Sequence, residues 1–173
     1  MTNKNTLIKK FSTIELVLTD VDGVLTDGGR YYSETGEHVK KFHTRDGMGI
    51  NILLRNNIKT VIVTKEKSKI VKKWAKDMNV EKIFDGIKIK EDVLDSICKE
   101  FKIKPNQVAY IGDDVNDVGL LKIVGLSACP NDSSEIIKKE VDYVCEKNGG
   151  NAVFREIVEK IIIAKSPKKQ KWY

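Results

Sequence analysis

The chain has 173 residues, 40% of them hydrophobic and 32% charged, which suits one ordinary domain with a real core and leaves little room for a second. Its hydrophobic residues come in short bursts that cannot span a bilayer, and MTNKNTLIKKFSTIEL at the start lacks the apolar block of an export signal, so no membrane association is expected. Cys98, Cys129 and Cys145 form no CxxC pair, which argues against a disulfide framework or a structural zinc site and points to a reduced, cytoplasmic protein.

The net charge of +6 invites a nucleic-acid reading, but its placement weakens that. Seven lysines and no acid fall in residues 1–10 and 165–173; without them the body carries −1. Among the 31 basic residues only Arg30, Arg45, Arg55 and Arg155 are arginine, the type favoured for bidentate phosphate and base contacts. Nucleic acid is therefore not an expected partner. The expected organisation is a single domain over 1–173, with a core of about 14–164 and a mobile, Lys-rich tail at 165–173.

In chain order, 14–19 (IELVLT) predicts a buried strand, continuous rather than alternating, as in a sheet covered on both faces. Residues 29–43, GRYYSETGEHVKKFH, alternate and turn at ETGE, which predicts a β-hairpin inserted after that strand. Further buried strands are expected at 60–64, 108–112 and 125–128, with a short one at 142–145. Apolar spacing of i, i+3, i+4 predicts helices at 46–57, 67–78, 90–101 and 114–123, and a closing helix at 153–163. Strand–helix alternation of this kind gives an α/β fold, a Rossmann-like, mostly parallel sheet with helices on both faces and no large cap.

Ligands of such sheets bind beyond the carboxyl ends of the strands. There the chain places Asp20-Val21-Asp22-Gly23 after the first strand and Thr64-Lys65-Glu66 after the second. Lys90 follows the IFDG stretch, and Asp113-Asp114-Val115-Asn116-Asp117 follows a later strand. Asp20 and Asp22 repel each other unless a cation or proton sits between them. Hard oxygen ligands without a nearby histidine suggest Mg²⁺, with Asp113 as a third ligand. An Asp-rich turn is the plainer alternative for DxDG alone, but a second acidic strand end makes it the weaker one.

A carboxylate-bound cation beside a hydroxyl and a lysine suits a phosphoryl group. Lys90 would neutralise its outer oxygens, and the Thr64 hydroxyl would hold another. Asp20 could attack phosphorus to form an aspartyl-phosphate, and Asp22 could protonate the departing alcohol and then deprotonate water. Asp114 and Asp117 are expected to orient Lys90 or a metal-bound water rather than bind metal directly. Glu66 is either a substrate contact or a helix-start carboxylate. Trp74, on an apolar stripe, reads as core or subunit interface.

DVDGVLTDG at 20–28, Thr64, Lys90 and GDDVND at 112–117 resemble, in order and spacing, the four signature motifs of the haloacid dehalogenase superfamily. With FHTRDGMGI at 42–50 and GGNAVFRE at 149–156, the stretch 14–162 is similar to the KDO (3-deoxy-D-manno-octulosonate) 8-phosphate phosphatases. That resemblance implies Asp20 as nucleophile, Asp22 as general acid/base, and Thr64 and Lys90 as the phosphate-binding pair. It implies Mg²⁺ on the Asp20 carboxylate, the Asp22 main-chain carbonyl and Asp113. It further implies substrate contacts at His43, Thr44, Arg45, Asp46, Gly47 and Asn116, and a capless homotetramer whose packed hairpins let a neighbour cover each active site. The product would feed a surface carbohydrate precursor.

Where those phosphatases carry Thr-Gly-Arg and a later arginine, this chain has Thr64-Lys65-Glu66 and Trp74, and Asn151-Ala152 replaces a frequent Arg-Gly. Enzymes acting on nonulosonate 9-phosphates are similar in having Glu at the place of Glu66, so that substrate is the competing expectation. A catalytically silent interaction module of the same fold is a further alternative, against which the retained Asp20, Asp22, Lys90 and Asp113 weigh. A receiver domain would take its phosphorylated Asp from a middle strand, and no GxxxxGK[ST] supports a P-loop enzyme.

Overall fold

The computed structural model describes residues 4–166 and Trp172. In chain order its first elements are helix α1 (Lys4–Thr13), strand β1 (Leu16–Thr19), the hairpin strands β2 (Tyr31–Ser33) and β3 (Gly36–Val39), and α2 (Thr44–Arg55). Then come β4 (Lys59–Val63), α3 (Lys69–Asp77), β5 (Lys82–Phe84), α4 (Leu94–Phe101), β6 (Val108–Ile111) and α5 (Val118–Ile123). The chain continues through β7 (Leu126–Cys129), α6 (Glu135–Glu140), β8 (Tyr143–Val144) and α7 (Val153–Lys165).

Six strands pair in the order β5-β4-β1-β6-β7-β8, every pairing parallel, and β2 and β3 form a separate antiparallel hairpin. Successive strand residues face opposite sides. Val17, Ile62, Ala109 and Ile111 join the side chains of α1, α2, α3 and α7 in one apolar layer. Leu16, Leu18, Val61, Val63, Val108 and Tyr110 join those of α4, α5 and α6 in the other. Coverage on both faces is why these strands are apolar throughout. Each such side chain contributes roughly 1.5–3 kcal/mol by leaving water.

β1 pairs with β4 on one flank and β6 on the other, so connections leave it in both directions and the sheet opens a crevice at its carboxyl end. The hairpin rises there in place of a cap, with Gly36 at φ +112° closing the turn after Glu34 and Thr35.

Several elements differ from the expectation. The predicted helices at 90–101 and 114–123 each begin as a 3₁₀ turn, Lys90–Val93 and Val115–Asp117, which aims Lys90 and Asp117 inward. α1 was not anticipated from its Lys-rich sequence. Leu7 and Phe11, one turn apart, dock it on the apolar layer under α7, so the core begins before residue 14. α6 was not anticipated either; Ile137 alone among its residues is fully buried. Lys165 closes α7, its Nζ donating to Ile14 O and Glu15 Oε1 at 2.7 Å each, rather than opening a tail. Trp172 packs against the α1/α7 layer, and the remaining tail positions, 167–171 and 173, lie outside the described residues.

Candidate active site

Asp20 leaves the sheet one residue beyond β1, its N–H still donating to Ile111 O at 2.9 Å. Its side chain is thereby fixed at the crevice floor with 5% exposure. Oδ1 accepts from Val21 N at 2.7 Å, and Oδ2 lies 2.7 Å from Lys90 Nζ. Lys90 is wholly buried and reaches Asp117 Oδ1 at 2.6 Å and the Tyr110 hydroxyl at 3.2 Å. Tyr110 in turn donates to Asp117 Oδ1. Asp117 Oδ2 accepts the main-chain N–H groups of Asp113 (2.8 Å) and Asp114 (3.2 Å). Both Asp117 oxygens are therefore engaged in holding Lys90 and the acidic turn. Asp114 does not touch Lys90: it is exposed and caps its own turn through Val115 N.

Burial disfavours charge on Lys90, but the two carboxylates outweigh that and hold its pKa above the ordinary lysine value. Burial also raises Asp20 to about 6 despite Lys90. Asp113 is pushed to about 8, by burial first and then by Asp20, Asp117 and Asp114. Oxygens of Asp20, Asp113 and Asp117 lie within 4.8 Å of one another. Crowded carboxylates, all hard oxygen donors, suit a small divalent cation. The crowding is built in. Gly23 sits at φ +83°, and a Cβ there would fall 1.9 Å from Asp113 Oδ2.

The Asp20 and Asp22 side chains each turn to a lysine of their own. Asp20 turns to Lys90, whereas Asp22 Oδ1 turns to Lys40, which is almost fully buried and also pairs with Glu37 Oε1 at 2.8 Å. Glu37 Oε2 accepts from Ser68 Oγ at 3.2 Å, and Ser68 is the N-cap of α3. Arg30 approaches Asp22 Oδ2 at 4.0 Å and Glu66 Oε1 at 3.4 Å. Arg30 and Lys40 thus stand at the two ends of the hairpin, both turned to Asp22. Neither they nor Tyr110 stood out in the sequence, where two are ordinary hairpin cations and the third a strand aromatic.

A cavity of about 280 Å³ above the floor is lined by Asp20, Asp22, Arg30, Thr64, Lys65, Glu66, Asp113, Asp114 and Asn116, among others. Thr64 follows β4 directly and is held by main-chain bonds to Phe84 and Ile87. The 43–47 segment stands elsewhere. His43, Thr44 and Gly47 border an apolar recess with the stacked Phe42 and Trp74 rings, and Arg45 borders a separate charged one. His43 is the N-cap of α2, its Nδ1 accepting from Arg45 N at 3.1 Å. Asp46 is corrected outright as a substrate contact. It is fully buried, and its Oδ1 accepts from Arg155 N at 2.9 Å. It caps α7, whose own N-cap, Ala152, has no side-chain hydrogen bond to offer.

Comparison with known proteins names the class that this sheet and crevice define. The family model of the haloacid dehalogenase-like hydrolases matches residues 56–157, and the chain belongs to that family. It is 36% identical over 156 residues to the 3-deoxy-D-manno-octulosonate 8-phosphate phosphatase KdsC of Haemophilus influenzae, covering 90% of this chain and 87% of the relative. Its fold matches the crystal structure of the 3-deoxy-D-manno-octulosonate 8-phosphate phosphatase from Moraxella catarrhalis in complex with magnesium ion, phosphate ion and KDO. The TM-score there is 0.91 at 32% identity, over 95% of this chain and 94% of that one. It likewise matches the cobalt-bound phosphatase from Haemophilus influenzae, with a TM-score of 0.89 at 36% identity, over 91% and 92% of the two chains.

Proposed function

We propose that the protein is a Mg²⁺-dependent phosphomonoesterase that removes the terminal phosphate of 3-deoxy-D-manno-octulosonate 8-phosphate through an aspartyl-phosphate on Asp20. The observation that carries this reading is Asp20 held at the cavity floor by Lys90, which Asp117 and Tyr110 fix in turn. A silent module has no need of a buried lysine aimed at a buried carboxylate. The named relatives favour the eight-carbon acid over a nonulosonate.

In this reading Asp20 Oδ attacks phosphorus while the Lys90 ammonium and the Thr64 hydroxyl bind the phosphoryl oxygens. Asp22 gives its proton to the departing sugar oxygen and then takes one from the water that cleaves the acyl-phosphate. Asn116 faces the sugar from the cavity wall, and Asp114 is placed there to orient a water. Mg²⁺ would be held by Asp20, Asp113 and the Asp22 carbonyl, and supplies the charge neutralisation that lets a carboxylate approach a phosphate dianion. Exposed Tyr31 and Tyr32 on the hairpin, and residues 43–45 lying outside their own cavity, support a homotetramer in which copies meet at the hairpins. Three buried, unpaired thiols support a cytoplasmic setting.

The test is phosphate release by purified enzyme from this substrate, from nonulosonate 9-phosphates and from hexose phosphates, with the assembly mass measured on the same sample. The eight-carbon acid should give the highest kcat/KM, and Asp20→Asn should lower kcat by at least about 10³-fold without unfolding the chain. Preference for hexose phosphates would remove the substrate assignment, substantial turnover by D20N the nucleophile, and a single-chain mass the tetramer.

A further inference from the structure

We propose that Arg30 recognises the carboxylate of the substrate, and that Glu66 is its resting counter-ion. The inference rests on the sugar-acid phosphatase reading and deepens it. A phosphorylated sugar acid presents two anionic groups. The floor provides for the phosphoryl end through Lys90 and Thr64, leaving the carboxylate to be met higher in the cavity. The cavity wall that this chain provides is otherwise hostile to an anion: among the described residues Asp20, Asp22, Glu66, Asp113 and Asp114 face two basic residues, Arg30 and Lys65.

Of these two, Arg30 is the one already posed to bind a carboxylate. Its Nη2 lies 3.4 Å from Glu66 Oε1, and Nη1 donates to the Tyr32 hydroxyl at 3.4 Å. The planar guanidinium is a bidentate match for a carboxylate, which an ammonium is not. Its 4.0 Å approach to Asp22 Oδ2 sets it beside the proposed proton carrier. Glu66 therefore occupies the place that the substrate's own carboxylate would take.

That exchange is physically easy. The Arg30 and Glu66 side chains are 38% and 48% exposed, and a solvent-exposed pair at 3.4 Å contributes little. A carboxylate on a substrate already anchored by its phosphate arrives at high effective concentration and displaces Glu66 into water.

The experiment compares kcat/KM for 3-deoxy-D-manno-octulosonate 8-phosphate with that for glucose 6-phosphate, which has no carboxylate, in wild type, Arg30→Met, Arg30→Lys and Glu66→Gln. R30M should cut the acid-over-neutral ratio about ten- to a hundredfold, through KM for the acid. R30K should recover part of it, and E66Q should lower KM for the acid by removing the competitor. Thermal melts establish that each variant is folded. A wild-type preference for the acid that R30M leaves within twofold overturns the role of Arg30 alone. A wild type without any such preference takes down the sugar-acid reading and this inference together.

Discussion

Asp113 is half-buried beside Asp20, Asp117 and Asp114 and is pushed to about 8. A carboxyl whose folded-state pKa is raised from 3.8 disfavours folding once it must ionise. The metal-free protein therefore loses this contribution as pH climbs from about 4 toward 8. Asp113→Asn should raise the metal-free melting temperature at pH 8 by about 3 °C while abolishing stabilisation by Mg²⁺. A calorimetric melt with and without the ion checks both, and an unchanged Mg²⁺ response would remove Asp113 as a ligand. The acidic positions were legible because carboxylates at the ends of apolar strands have few other uses. Tyr110, Arg30 and Lys40 were not, because their significance lies in partners that only the folded chain turns toward them. Asp46 was not legible either, as the N–H it caps, that of Arg155 in the first turn of α7, lies 109 residues further along.

The hairpin shows what periodicity reveals about an element and what it does not. Alternation and the ETGE turn predicted β2 and β3, yet nothing local could say that Lys40 would tie them to Asp22 while Glu37 ties them to the N-cap of α3. Lys40→Met keeps the aliphatic stem but leaves two carboxylates facing each other. It should lower kcat about tenfold or more, reduce stability by roughly 1–3 kcal/mol, and quicken protease cleavage within 29–41. Normal turnover with an unprotected hairpin would show that the tie is structural only. Short, oddly started elements were the hardest to anticipate. α1 has few apolar residues to report its face, and the 3₁₀ openings at Lys90 and Val115 follow from the ion pairs they serve rather than from propensity.

Across the whole molecule, alternating apolar strands and amphipathic helices made the layered parallel architecture readable, while the joints between layers were not. One such joint is Asp46, on α2, gripping the start of α7 with Oδ1 while its Oδ2 finds no partner. Burial drives it up to about 7 even though Arg155, Ala152 and Phe154 N–H groups pull the other way. The sign is that of Asp113: stability is fullest below the ordinary carboxylate pKa and falls as pH rises through about 7. In chelator, wild type should lose more melting temperature between pH 5 and pH 8 than Asp46→Asn does, by about 3 °C. Equal slopes would mean the group is ionised throughout.

The two feet of the hairpin, residues 30 and 40, both lean on the side chain at position 22, while Tyr31 and Tyr32 on its first strand are exposed. A molecule that gripped that strand would pull on Asp22 through Arg30 without entering the crevice, which makes the hairpin a handle for inhibition outside the substrate's own space.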